Sequence, residues 1–187
     1  MACKVCNIST GFARNCDLRV SGGSKSVTYF IESESVTAYT FNGTNSEILD
    51  SVTLAAGKSW YTIEAFENTV QPISAFEQGN SFTTETITMT IPRYSDNPNL
   101  RIAAAEHKRF LDQIKNSDCG WLMAVADRAG VYRLYGFTAS SQNSDGLYGA
   151  FSDDPGLAVG DQAGTALTFT SQSALSPVPL AASFVFA

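Results

Sequence analysis

The sequence predicts a mainly β domain, a sandwich or barrel-like fold with one flanking α-helix. Three observations carry that expectation. Residues 26–92 are rich in Thr, Val, Ile, Tyr and Phe and are punctuated by Asn42-Gly43, Gly57 and Gly79, which is strand-and-turn composition. One stretch, 99–117, repeats its apolar residues at helical spacing. Strand patterns then return from Trp121 to Phe186. The order strands, helix, strands, with no internal repeat, fits a single domain. The chain of 187 residues, 44% hydrophobic and only 16% charged, is long enough to bury a sizeable core.

The elements follow in order. Residues 1–25 are polar, with Gly11, Gly22 and Gly23, and read as an N-terminal arm ahead of a domain spanning 26–187. Strands are expected near 26–31, 35–41, 47–54, 58–66, 70–76 and 81–91. The last has the clearest pattern. Ile87, Met89 and Ile91 point to the core, and Thr84, Thr86, Thr88 and Thr90 point away from it. Glu85 shares the parity of the core set and is expected at the strand's rim. Pro92 ends the strand, and Asn97-Pro98-Asn99 supplies helix start signals. Ala103, Ala104, His107, Phe110, Leu111 and Ile114 then fall on one helical face. The unbroken apolar run Trp121-Leu122-Met123-Ala124-Val125-Ala126 predicts a central buried strand, with 131–137 as its hairpin partner. Residues 138–164 read as loop. Leu167 and Phe169 share the inner face of the next strand. A final strand is expected from Leu180 to Phe186, with Leu180, Ala182, Phe184 and Phe186 on one side.

Charge is unevenly placed. The net charge of -6 argues against a nucleic-acid binder that relies on a basic face. Between 26 and 92 Lys58 is the only basic residue among eight acids, whereas Arg93, Arg101, Lys108, Arg109 and Lys115 gather in 93–115. A chain with acidic surfaces and one basic element can adhere to copies of itself. No apolar run approaches the roughly 18 residues of a membrane span, and Met1–Asn7 has no long apolar stretch of the signal-peptide kind.

Motifs for chemistry are few. Cys3 and Cys6 form a C-x-x-C, but the second close pair of a structural zinc site is missing. Free thiols are the first expectation, and a zinc or disulfide clip on the arm is the alternative. Cys119 reads as a small buried hydrophobe beside Trp121. His107, the single histidine, lies within the apolar stripe and reads as a core or rim residue. No G-x-S-x-G, H-E-x-x-H, P-loop or G-x-G-x-x-G occurs. Glu64 and Glu67 lie three apart on a predicted strand and face opposite ways, which does not suit a glycosidase pair. No catalytic, metal-ligating or cofactor-binding residue is expected, and an enzyme is disfavoured.

The chain resembles the tail tube proteins of tailed bacteriophages. The features that carry the resemblance are Ser21-Gly22-Gly23-Ser24-Lys25 leading into the first strand, the Thr-rich strand 83–91, the helix 99–117, and the buried pair 121–126 and 131–137. The run from Gly156 to Phe169 is similar in texture to structural proteins from phages of Bacteroidetes-type hosts. The resemblance implies a structural virion protein, located in the tail and assembled in the bacterial host's cytoplasm. Its subunits would form rings, hexameric in that family, stacked around a channel through which DNA passes without specific binding. Its partners would be copies of itself and other tail proteins, with no membrane and no cofactor.

On that expectation Thr84, Thr86, Thr88 and Thr90, with Glu64, face the lumen. The tip Asn42, Gly43, Thr44, Asn45 and Ser46 contacts the next ring. The core would comprise Ile87, Met89, Ile91, Phe110, Leu111, Ile114, Trp121, Met123, Val125, Leu167, Phe169 and Phe184. Two other readings stay open. One is a related virion module such as a tail terminator. The other is a surface or extracellular sandwich binding carbohydrate or protein, with Trp60, Tyr61, Tyr132, Tyr135 and Tyr148 as an aromatic platform.

Overall fold

The computed structural model describes residues 26–66, 68–76, 83–126, 130–137, 146–154, 164–174 and 176–187. The elements are β1 (Ser26–Glu32), a 3-10 turn (Ser33–Ser35), β2 (Val36–Phe41), β3 (Leu49–Leu54), β4 (Tyr61–Ala65), β5 (Gln71–Phe76) and β6 (Thr83–Pro92). After them come α1 (Leu100–Asn116), β7 (Trp121–Ala126), β8 (Tyr132–Tyr135), β9 (Tyr148–Asp154), β10 (Gly164–Ala174) and β11 (Val178–Pro179). The N-terminal arm 1–25 lies outside the described residues.

The fold is mainly β with one helix, and its strands stack in three layers. A five-stranded sheet, ordered β11-β8-β7-β1-β4, forms the middle. A four-stranded sheet, β5-β6-β10-β9, covers one face together with α1, and the β2–β3 hairpin covers the other. Every strand pairing between these elements is antiparallel.

The middle position of β7 explains its composition. Trp121, Met123 and Val125 enter one core cluster with Ile87, Met89, Ile91, Leu167, Phe169 and the helix residues Phe110, Leu111 and Ile114. Leu122 and Ala124 enter a second cluster with Val36, Leu49 and Leu180. A strand interior on both faces has no use for alternating polar residues. β1 divides in the same way, Phe30 to the first cluster and Ile31 to the second.

The helix starts where its signals lie. The Asn99 side chain accepts the Arg101 N–H at 3.1 Å, which satisfies one otherwise unpaired donor of the first turn. Ala103, His107, Phe110, Leu111 and Ile114 are buried, whereas Ala104, expected on the same face, is exposed at its margin.

Four expectations need correction. The segment read as loop contains β9, an edge strand whose Gly149, Asp153 and Asp154 resemble turn chemistry in sequence. Gly149 is required there by packing, since a Cβ would sit 2.7 Å from Ile114 and 2.9 Å from Phe169. The final run 180–186 is not a strand. Leu180 forms one bridge to Leu49, and the chain then turns, Phe184 N–H donating to the Ala181 carbonyl. What fastens this tail is aromatic packing: Phe186 stacks on Tyr29 with centroids 3.8 Å apart, and half-buried Phe184 and Phe186 meet the Trp60 ring edge-on. Alternation alone does not separate a strand from an extended tail held by its side chains.

The third correction concerns Glu85, which is fully buried and not at a rim. The fourth concerns Cys119, which is buried and disulfide-bonded, not a free thiol. It lies in the short connection between α1 and β7; Cys3, Cys6 and Cys16 lie outside the described residues. Sequence spacing carries no information about which distant cysteines approach within bonding distance.

Candidate functional site

The outward face of the four-stranded sheet is a field of hydroxyls. On β6, Thr84 is exposed and Thr86, Thr88 and Thr90 are half-buried. The register extends this row sideways, because directly opposed residues share a face. Thr86 lies opposite Thr170 on β10 and Ile73 on β5; Thr88 lies opposite Thr168 and Gln71; Thr90 lies opposite Ala166 and Thr84 opposite Ala75. One strand further, Thr170, Thr168 and Ala166 face Tyr148, Ala150 and Ser152 on β9. None of these side chains carries a charge. The β6 row is visible in the sequence, but Thr168, Thr170, Ser152 and Tyr148 join it only through the register.

The other site residues are placed elsewhere. Glu64 projects from β4, an edge of the five-stranded sheet, and is not brought to the threonine field. Residues 42–46 form the exposed tip of the β2–β3 hairpin, apart from half-buried Asn42. Asn42 organises it: its carboxamide oxygen accepts the N–H of Thr44 at 2.9 Å and of Asn45 at 3.0 Å, and its amide donates to Asp50. The expected core set is buried throughout except Phe184, which is half-buried against the second cluster. The aromatic platform does not assemble. Trp60 and Tyr135 are buried, Tyr132 packs against Phe186, and Tyr148 lies on the other sheet.

Two buried polar arrangements were not legible beforehand. Glu85 Oε2 accepts the backbone N–H of Gly136 at 2.6 Å, joining the four-stranded sheet to the chain just after β8. Its Oε1 is buried with no hydrogen-bond partner among the described residues. Desolvation pushes this carboxyl up to about 7, against a smaller opposing effect of the Gly136 N–H.

The second arrangement runs inward from solvent. Arg93 donates to Asp153 at 2.8 Å, Thr165 donates its hydroxyl proton to Asp153 at 2.8 Å, and Thr165 Oγ1 lies 3.0 Å from His107 Nε2. With its own proton committed to Asp153, Thr165 accepts from the imidazole, which fixes Nε2 as the protonated nitrogen. Burial holds His107 below its ordinary range, while Asp153 pulls it up and Arg93 pulls it down. In residue type this is a hydroxyl–imidazole–carboxylate trio. The hydroxyl is sealed from solvent, however, and gives its proton to the carboxylate rather than to the ring. The trio buttresses α1 against β9 and β10. Thr165→Val keeps the shape and removes the bridge, so it is expected to cost about 1–3 kcal/mol in urea unfolding. A loss below about 0.5 kcal/mol would remove the buttress role.

Among the described residues no three His, Cys, Asp or Glu side chains are grouped to hold a metal ion, and no helix is long and apolar enough to cross a membrane. Comparisons with protein-family models, with curated proteins and with solved structures find no match to this chain.

Proposed function

We propose that this chain is a structural subunit that assembles with its own copies into stacked rings, a tube of the phage tail-tube kind, with the threonine field lining the channel. The observation that supports this reading is an uncharged, hydroxyl-covered sheet face bounded by two open strand edges. Among the described residues β5 and β9 each pair on one side only. Open edges are templates for pairing with another chain. Because the order β5-β6-β10-β9 is antiparallel throughout, β5 of one copy beside β9 of the next continues the same alternation. Both edges also present large apolar side chains: Ile73 and Phe76 on β5, Tyr148 and Phe151 on β9, with Phe76 67% exposed.

Repeating that contact around an axis closes a ring and turns one sheet face inward. A wall of threonine hydroxyls gives duplex DNA no cations to grip, so DNA passes without being retained. Glu64, on the other sheet, is not part of the lining in this reading.

Light scattering after size exclusion, with negative-stain microscopy, tests the reading. Rings or tubes are expected, and a strictly monomeric protein at high concentration overturns it. Tubes carrying Thr86→Lys and Thr88→Lys are expected to retain duplex DNA in a filter-binding assay at low salt, whereas wild-type tubes do not. Equal retention by the two would remove the threonines from the lining.

A further inference from the structure

The helix and the hairpin carry opposite charge and lie on opposite sides of the subunit. The buried stripe of α1 packs into the first core cluster, so its other side faces solvent. That side presents Arg101, Lys108, Arg109 and Lys115, all exposed, with Asp112 between them bound to Lys108. The helix's other acid, Glu106, is turned back to Ser95 and Asn97. At its first turn, Leu100 and Ile102 are exposed beside Arg101. The β2–β3 hairpin packs through Val36 and Leu49 into the second cluster, on the opposite face of the middle sheet. From Val36 to Leu54 it contains two acids, Glu47 and Asp50, and no Lys or Arg. Phe41, at the start of its tip, is exposed.

We propose that the solvent face of α1 is the docking surface for the β2–β3 hairpin tip of a second copy of this chain. This inference rests on the assembly reading and gives its ring-to-ring contact a specific partner. Helix and tip lie on opposite faces of the same sheet, so a tip cannot reach its own helix. The contact is therefore heterologous and propagates from copy to copy. Ile102, on the same side of the helix as Arg109, offers an apolar anchor for Phe41, and the basic side chains near it carry charge opposite to that of Glu47 and Asp50. Contacts of this kind fix register and weaken as salt rises.

A charge exchange tests it. One variant carries Arg101→Glu and Arg109→Glu, and so has an acidic helix with an acidic tip. The other carries Glu47→Lys and Asp50→Asn, and so has a basic tip with a basic helix; asparagine keeps an acceptor for the Asn42 amide. Each alone is expected to associate about tenfold or more weakly than wild type, because like charges now meet. The equimolar mixture, and a chain carrying all four substitutions, are expected to recover assembly to within a few fold of wild type. Circular dichroism checks that each variant is folded. If wild type assembles but neither the mixture nor the fourfold variant recovers, the docking surface is wrong while the tube reading stands. If wild type itself never assembles, both fall.

Discussion

Glu85→Gln is expected to make the protein more stable at pH 8 and to leave it nearly unchanged near pH 4.5. The buried carboxyl ordinarily titrates at 4.5 and is pushed up to about 7 in the fold. Between those values the folded state holds a proton that the unfolded chain has released. Stability therefore falls as pH rises through this window and levels off above it. The full difference corresponds to about 3 kcal/mol at pH 8. Glutamine has the same shape and keeps an acceptor for the Gly136 N–H, but it does not ionise. Its amide NH2 inherits the unpartnered site of Oε1, so the measured gain is expected to be roughly 1–3 kcal/mol. Urea unfolding of both proteins at pH 5 and pH 8 decides the matter. If the two curves keep a constant separation across that range, Glu85 is not the titrating group.

Gly146→Ala is expected to be among the most damaging single-methyl changes in the chain. Gly146 has φ +66°, and a Cβ there would lie 2.6 Å from the Gly120 carbonyl carbon and 2.7 Å from both Gly120 Cα and Trp121 N. All three are backbone atoms, so no side chain can rotate away. The same backbone forms the bridge at which Trp121 and Leu147 exchange two N–H···O bonds of 2.8 Å each. Relieving the overlap means breaking that bridge beside the start of β7. The expected cost is about 3–5 kcal/mol, left-handed strain and backbone overlap together. Gly57→Ala is the matched control. Its φ is +76°, but nothing lies within 4 Å of the added carbon, so only strain of about 1 kcal/mol applies. Equal losses at the two positions in thermal unfolding would show that the close approach to Gly120 carries no weight.

The parts legible in the sequence are those in which a residue's environment repeats along the chain. The Ile87, Met89, Ile91 alternation and the His107, Phe110, Leu111, Ile114 spacing are local periods, and each marks the face that is buried. β9 was hidden because an edge strand is stabilised by a partner and not by its own composition. Its pairing with β10 is what makes Tyr148–Asp154 extended. The C-terminal tail misled for the converse reason. Its alternation is real, but it serves aromatic contacts with Tyr29, Trp60 and Tyr132 and not a ladder of hydrogen bonds. The four threonines of β6 could be read from that strand alone. Thr168 and Thr170 join them through a register fixed only when β6 and β10 meet. Glu85 was the least legible. Parity placed it inward, but its donor among the described residues is the backbone N–H of Gly136, just after β8.

The middle sheet also imposes an order in time. β1 is flanked by β4 and β7, and its register with β7 runs from Tyr29 opposite Ala124 to Glu32 opposite Trp121. On the ribosome β1 and β4 emerge early and can pair as soon as both are free. The partner that completes β1 is made only after β5, β6 and α1. Until then Phe30 and Ile31 have an open edge beside them, and both core clusters lack their central strand. Such distant closure is slow, and the waiting chain presents apolar strand edges to other nascent copies. For a protein that builds with its own kind, the interval before β7 arrives is when correct pairing within a chain competes with premature pairing between chains.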